Sequence, residues 1–161
     1  MEIAEDFTEL VRKKAEKHYR QGRFFCGESV LRGIVDVSGQ KERRALVALA
    51  SGFGTGMGEA GCACGAVVGG IMALGLFFGR TMPGDPKVNA CMALARELHD
   101  QFRAKHRSVC CRVLNRGVVH DSPEQQENCA QRTADAAGIA AAIIARELKR
   151  QARDAEKKAG P

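Results

Sequence analysis

The chain has 161 residues, a formal net charge of +6, seven Cys, one Tyr and no Trp. A chain of this size forms one domain, here taken as residues 1–161, and buries a core without disulfide help; the odd number of cysteines excludes complete pairing within the chain. The N-terminus reads MEIAEDF, acidic where a secretory signal would be basic and then apolar, so the expected compartment is the reducing cytoplasm.

Taken in order, Ile3, Phe7, Leu10 or Val11, Ala15 and Tyr19 recur at helical spacing, and Glu9 with Lys13 adds a favourable i,i+4 pair. That helix ends near Gly22. The linker QGRFF delivers Cys26 to the first turn of a second helix, marked by Val30, Leu31, Ile34 and Val35 and stopped at Ser38 and Gly39. A short third helix is expected from about Lys41 to Ser51, with Ala45, Leu46, Leu49 and Ala50 inward.

Next comes GFGTGMGEAGCACGAVVGGIMALGLFFG, Gly52 to Gly79, whose last twenty residues carry no charge. About 20 predominantly apolar residues suffice to cross a bilayer, but six of these are Gly and the only cation close by is Arg80. The stretch reads as a central helix buried in a bundle, and no membrane partner is expected. Gly65 with Gly69, and Ala66 with Gly70, would let neighbouring helices approach closely, while Val67, Ile71, Leu74 and Phe78 fill another face. The same small residues would serve a homodimer as well as a core. Gly52, Gly54 and Gly56 look like a phosphate loop, yet no strand precedes them and the pattern is weak outside strand–turn–helix context.

Past Gly79, TMPGDP is turn chemistry, with Asp85 as N-cap and Pro86 at the first helical position. The following helix carries Cys91, Leu94, Ala95, Leu98 and Phe102 on one stripe. Ser108 introduces a short helical piece with Cys110 and Cys111, ended by Asn115 to Gly117. The run SPEQ, Ser122 to Gln125, is a capping box for a last helix carrying Cys129, Thr133, Ala136, Ala137, Ala140, Ile144 and Leu148, which frays into a charged tail at about 149–161. Strand-type alternation is absent, and the expected fold is an all-α, single-domain bundle of five to seven helices around a Gly/Ala-rich buried central helix.

Basic residues from Arg12 to Lys17, Arg103 to Arg107 and Lys149 to Lys158 are interleaved with acidic ones. They read as solvated helix faces, and no nucleic-acid partner is expected. The cysteines are the unusual feature. Thiolates are the nucleophiles of redox chemistry and the soft ligands of zinc and iron–sulfur clusters. The sequence has no C-x-x-C or C-x-x-C-H, which disfavours a thioredoxin-type dithiol, paired zinc knuckles and c-type haem attachment; ferredoxin spacing is missing too. A shared site must therefore be assembled from separated segments. Cys26, Cys64 and Cys111 fall near predicted helix N-termini and Cys129 within about two turns of one, where partial positive charge favours thiolates.

The order Cys26, then CGAVVG at Cys64 to Gly69, then SVCCR at Ser108 to Arg112, then Cys129, resembles the family described as redox-active and named for its C_GCAxxG_C_C pattern. The resemblance runs from roughly Gly22 to Leu148 and is most specific at Cys64, Gly65, Ala66, Gly69, Met72, Ala73, Leu74 and Gly75. The last two cysteines match by order more than by local motif. It implies a four-cysteine redox site on Cys26, Cys64, Cys111 and Cys129; related split-Soret cytochromes are credited with a non-haem two-iron centre. The cofactor expected on these four thiols is thus an iron–sulfur cluster of the two-iron, two-sulfide type, serving electron transfer or redox sensing with an unidentified redox partner protein. A metal-free thiol/disulfide oxidoreductase and a structural zinc protein are the alternatives. Cys62 competes with Cys64, and Cys110 with Cys111, for a place in the set, and a vicinal Cys110–Cys111 disulfide would be strained. Cys91, on its apolar stripe, reads as a small buried hydrophobe. His99 and His106 share a helix face and read as surface or core residues in preference to ligands.

Overall fold

The computed structural model describes residues 6–158. Seven α-helices and one 3₁₀ helix follow in order: α1 (Phe7–Arg20), α2 (Cys26–Val37), the 3₁₀ helix (Lys41–Phe53), a single turn α3 (Gly54–Met57), α4 (Gly65–Phe78), α5 (Lys87–His106), a single turn α6 (Cys111–Leu114) and α7 (Pro123–Lys158). Among the described residues there is no strand, only an isolated antiparallel bridge between Ala63 and Cys110. The fold is the expected all-α bundle.

The helical periodicities translate into packing. α1 buries Phe7, Val11, Ala15 and His18, so Val11 and not Leu10 is the core residue of that pair; Ile3 lies outside the described residues. Glu9 and Lys13 pair at 3.6 Å. α2 turns Val30, Leu31, Ile34 and Val35 inward, and Gly39 follows its end with a φ of 73°. The next segment differs from the sequence reading. It is 3₁₀ rather than α, so with three residues per turn Val47 and Ala50 share the buried face, whereas Ala45 and Leu49 are exposed.

α4 packs against α2, the 3₁₀ helix, α5 and α7. Ala66, Val67, Ala73, Leu74 and Phe78 are buried, but Val68, Ile71, Met72 and Leu76 are only partly covered and Gly75 is exposed, so its enclosure is less complete than an all-round apolar helix leads one to expect. No helix among the described residues is long and apolar enough to cross a membrane; α4 has 14 residues because the backbone before Gly65 is not helical.

The cap predictions hold with small shifts. Asp85 Oδ1 accepts from the Lys87 amide at 2.9 Å, and Ser122 Oγ accepts from the Gln125 amide at 3.2 Å. The Gln125 side chain reaches the Asp121 amide at 2.7 Å, one residue earlier than a capping box requires. α7 lays Ala136, Ala137, Ala140, Ala141, Ile143 and Ile144 into the core. It does not fray at 149: residues 149–158 are exposed yet helical. Strong helix formers here extend an anchored helix, which needs propagation but no new nucleation.

Candidate functional site

The site begins where α2 crosses α4. A Cβ on Gly65 would stand 2.6 Å from the Phe53 carbonyl oxygen and 2.7 Å from Cys26 Sγ, and one on Gly69 would run into the Gly27 carbonyl. The glycines of CGAVVG are therefore the places where the α2 backbone and the Cys26 sulfur come against α4. Gly70 serves α5 in the same way, since a Cβ there would meet Leu98 Cδ1 at 2.8 Å.

The glycine approach to α4 has a second purpose. Thr55, Gly56, Met57, Gly58, Glu59 and Gly61 all have positive φ, between 49° and 74°. This left-handed run turns the chain so that residues 61–64 lie beside residues 109–112. Cys64 N–H donates to the Val109 carbonyl at 2.7 Å, Cys111 N–H to that of Cys62 at 2.6 Å, and Arg112 N–H to that of Gly61 at 2.9 Å. Gly56 sits under this junction, where a Cβ would come within 2.6 Å of Cys111 Cβ. Backbone pairing thus fixes Cys64 and Cys111 relative to each other, which no local sequence motif announces.

Cys26, Cys64, Cys111 and Cys129 all line one cavity of about 70 Å³, walled also by Tyr19, Phe25, Asn115 and Arg132. Cys26 comes from the first turn of α2, Cys64 from the N-cap of α4, Cys111 from the first turn of α6, and Cys129 from the second turn of α7. Cys62 is exposed, Cys110 is half-buried with its sulfur 3.4 Å from the Gly61 carbonyl, and Cys91, on α5, is half-buried against the core; none of the three lines the cavity. His99 pairs with Asp100 at 2.8 Å and His106 with Asp135 at 3.0 Å, both away from the thiols.

Two polar residues that the sequence did not single out organise the wall. Asn115 Nδ2 donates to the Cys111 carbonyl at 3.0 Å and stands 3.5 Å from Cys111 Sγ. Its Oδ1 accepts from Arg132 at 2.8 Å and lies 3.9 Å from Cys129 Sγ. The Arg132 guanidinium also donates to the Leu114 carbonyl at 2.7 Å and reaches to 4.0 Å from Cys129 Sγ. The signal available was Arg132 at i+3 from Cys129, hence on the same helix face.

Burial governs the electrostatics. It pushes Cys64 up to about 11, although the Ala66 and Val67 amides at the start of α4 pull the other way. Neither amide makes a full capping hydrogen bond to that sulfur. Desolvation, with the neighbouring Cys64 and Cys129 sulfurs adding to it, raises Cys26 further. Cys111 is raised for the same first reason, against the opposing pull of Asn115 and Arg132. The expectation of acidic sulfurs at helix starts is not met: at Cys26 and Cys64 loss of water outweighs the opposing amides, and at Cys111 it outweighs Asn115 and Arg132. Tyr19 is likewise raised, first by burial and then by Cys129 and Cys26.

A family model described as "Putative redox-active protein (C_GCAxxG_C_C)" matches residues 24–143, a span that contains all four cavity cysteines. The chain belongs to this family. No curated protein and no solved structure matches it. The redox description is the family's, and Cys26, Cys64, Cys111 and Cys129, the cysteines that the resemblance implies, line one cavity in this chain. Among the described residues no three His, Cys, Asp or Glu side chains are grouped so as to hold a single metal ion.

Proposed function

We propose that this C_GCAxxG_C_C protein is a one-electron carrier or redox sensor whose four cavity cysteines ligate an iron–sulfur cluster of the two-iron, two-sulfide type. The observation that carries the reading is the meeting of four thiols, from four separate elements, in one cavity. The donor chemistry fits: thiolates are the ligands such clusters take, and a binuclear group asks for two sulfurs at each of two centres, not four about one ion. The raised thiols favour ligation over free nucleophilic chemistry, because a nucleophile must ionise unaided whereas a metal displaces the proton as it binds. Arg132 and the amides at the start of α4 would offset the negative charge of four thiolates. When bound, the cluster supplies a reversible one-electron couple; the chain holds it, shields it from water and presents it to a redox partner protein.

Anaerobic purification tests this. The expected product is brown, with iron and acid-labile sulfide in equal amounts. Colourless protein after careful anaerobic reconstitution, with two thiols lost reversibly on mild oxidation, would replace the cluster with a dithiol couple. Stoichiometric zinc in place of iron would make the site structural.

A further inference from the structure

Beside the thiol cavity lies a larger open cleft of about 480 Å³, within the range of small-molecule sites. The two share Tyr19, Phe25, Asp121 and Gln126, so the cleft reaches the wall behind which the sulfurs sit. Phe25 is 56% exposed, a large apolar side chain left in solvent immediately before Cys26. Its ring is not loose: a Cβ on Gly54 would come within 2.9 Å of it, so that glycine seats the ring.

The charges facing the cleft are almost all spoken for. Glu28 accepts from the Phe25 amide at 2.9 Å and from Ser51 Oγ at 2.6 Å. Arg20 binds Glu16 at 2.8 Å and grips Glu127 with both guanidinium ends. Asp121 pairs with His120 at 3.3 Å. Arg23, which also lines the cleft, has no ion pair or side-chain hydrogen bond among the described residues. What remains is a cleft of aromatic rings with one uncommitted guanidinium.

We infer that this cleft is a binding site for a planar aromatic anion of about the size of flavin mononucleotide, its ring against Phe25 and Tyr19 and its acidic group on Arg23. Rings offer stacking surface, and the guanidinium offers bidentate recognition of a phosphate or carboxylate. Such a ligand would share a wall with the thiol cavity, yet its binding does not depend on what the thiols hold.

The chain supplies its own reporter, because Tyr19 is the only tyrosine and there is no tryptophan. Full-length protein, with and without reconstituted iron, is titrated with flavin mononucleotide and with riboflavin, which has the same ring but no phosphate; Tyr19 emission and flavin anisotropy are followed. Saturable Tyr19 quenching by flavin mononucleotide is expected in both forms of the protein. Arg23→Gln, an exposed change that leaves the core intact, should weaken flavin mononucleotide by about fivefold or more, the scale of one charge-assisted contact, and leave riboflavin unchanged. No saturation with flavin mononucleotide, or equal weakening of both flavins by Arg23→Gln, overturns the proposal. Saturation in protein that fails to take up iron would sink the cluster reading and leave this one standing.

Discussion

Gly69 and Gly75 stand on the same face-rich helix and make opposite predictions. A methyl at Gly69 meets the Gly27 carbonyl, a backbone atom that cannot step aside, whereas one at Gly75 meets nothing within 4 Å. Gly69→Ala should therefore destabilise the fold by about 1–3 kcal/mol through overpacking. Gly75→Ala should stabilise it by roughly 0.4–1 kcal/mol by restricting the unfolded chain. Thermal midpoints of the two variants on either side of the wild type would bear this out; a stabilised Gly69→Ala would mean that α2 and α4 do not cross so closely. The same resolution applies to the cysteines. Cys64→Ser and Cys111→Ser should each abolish or sharply reduce bound iron, while Cys62→Ser, Cys110→Ser and Cys91→Ser should retain it, since only the first two of these five line the cavity. Iron retained in Cys64→Ser but lost in Cys62→Ser would transfer the site to the neighbouring thiol.

At the level of elements, α6 is a single turn and cannot hold itself in place, so Cys111 depends on the backbone pairing with residues 61–64 and on what ties that turn to α7. Arg132 is the tie: it reaches from α7 to the Leu114 carbonyl and to Asn115, which in turn holds the Cys111 carbonyl. Arg132→Ala leaves those acceptors unsatisfied and should cost about 1–3 kcal/mol. Arg132→Lys keeps the charge but cannot span both acceptors in the same fork, so it should recover little of the loss. Full rescue of stability and iron content by lysine would reduce Arg132 to a counter-charge. The long helices and their caps were legible because periodicity and N-cap chemistry act within one segment, as at Ser122 and Asp85. The 3₁₀ geometry of Lys41–Phe53 was not, since Ala45, Leu46, Leu49 and Ala50 satisfy an α pattern as well as Val47 and Ala50 satisfy a 3₁₀ one. Convergence of Cys26, Cys64, Cys111 and Cys129 was suggested by their places near helix starts and selected by the family resemblance. The left-handed run that brings Cys64 beside Cys111 requires positive φ at Thr55, Met57 and Glu59, which residue identity does not signal. Asn115 and Arg132 act through a contact between two elements, which neither segment's own pattern shows.

Across the whole molecule, the buried thiols link the site to the stability of the fold, and pH exposes the link. In the metal-free protein Cys64 keeps its proton to about pH 11, against an ordinary value of 9.0. Unfolding returns it to water, where it ionises near that ordinary value, so between the two the unfolded chain binds fewer protons than the folded one. Stability that is fully present below about pH 9 must then fall as pH rises toward 11. The gap corresponds to on the order of 3 kcal/mol from Cys64 alone, and Cys26 and Cys111 are displaced in the same direction. Denaturant midpoints of chelator-treated protein should therefore drop steeply above pH 9. Cys64→Ala, which removes the titrating group, should flatten part of that slope even though it lowers stability at neutral pH by opening space in the core. Parallel pH profiles for wild type and Cys64→Ala would show that this sulfur is not held protonated by burial. The argument for ligation over free thiol chemistry would then lose its electrostatic footing.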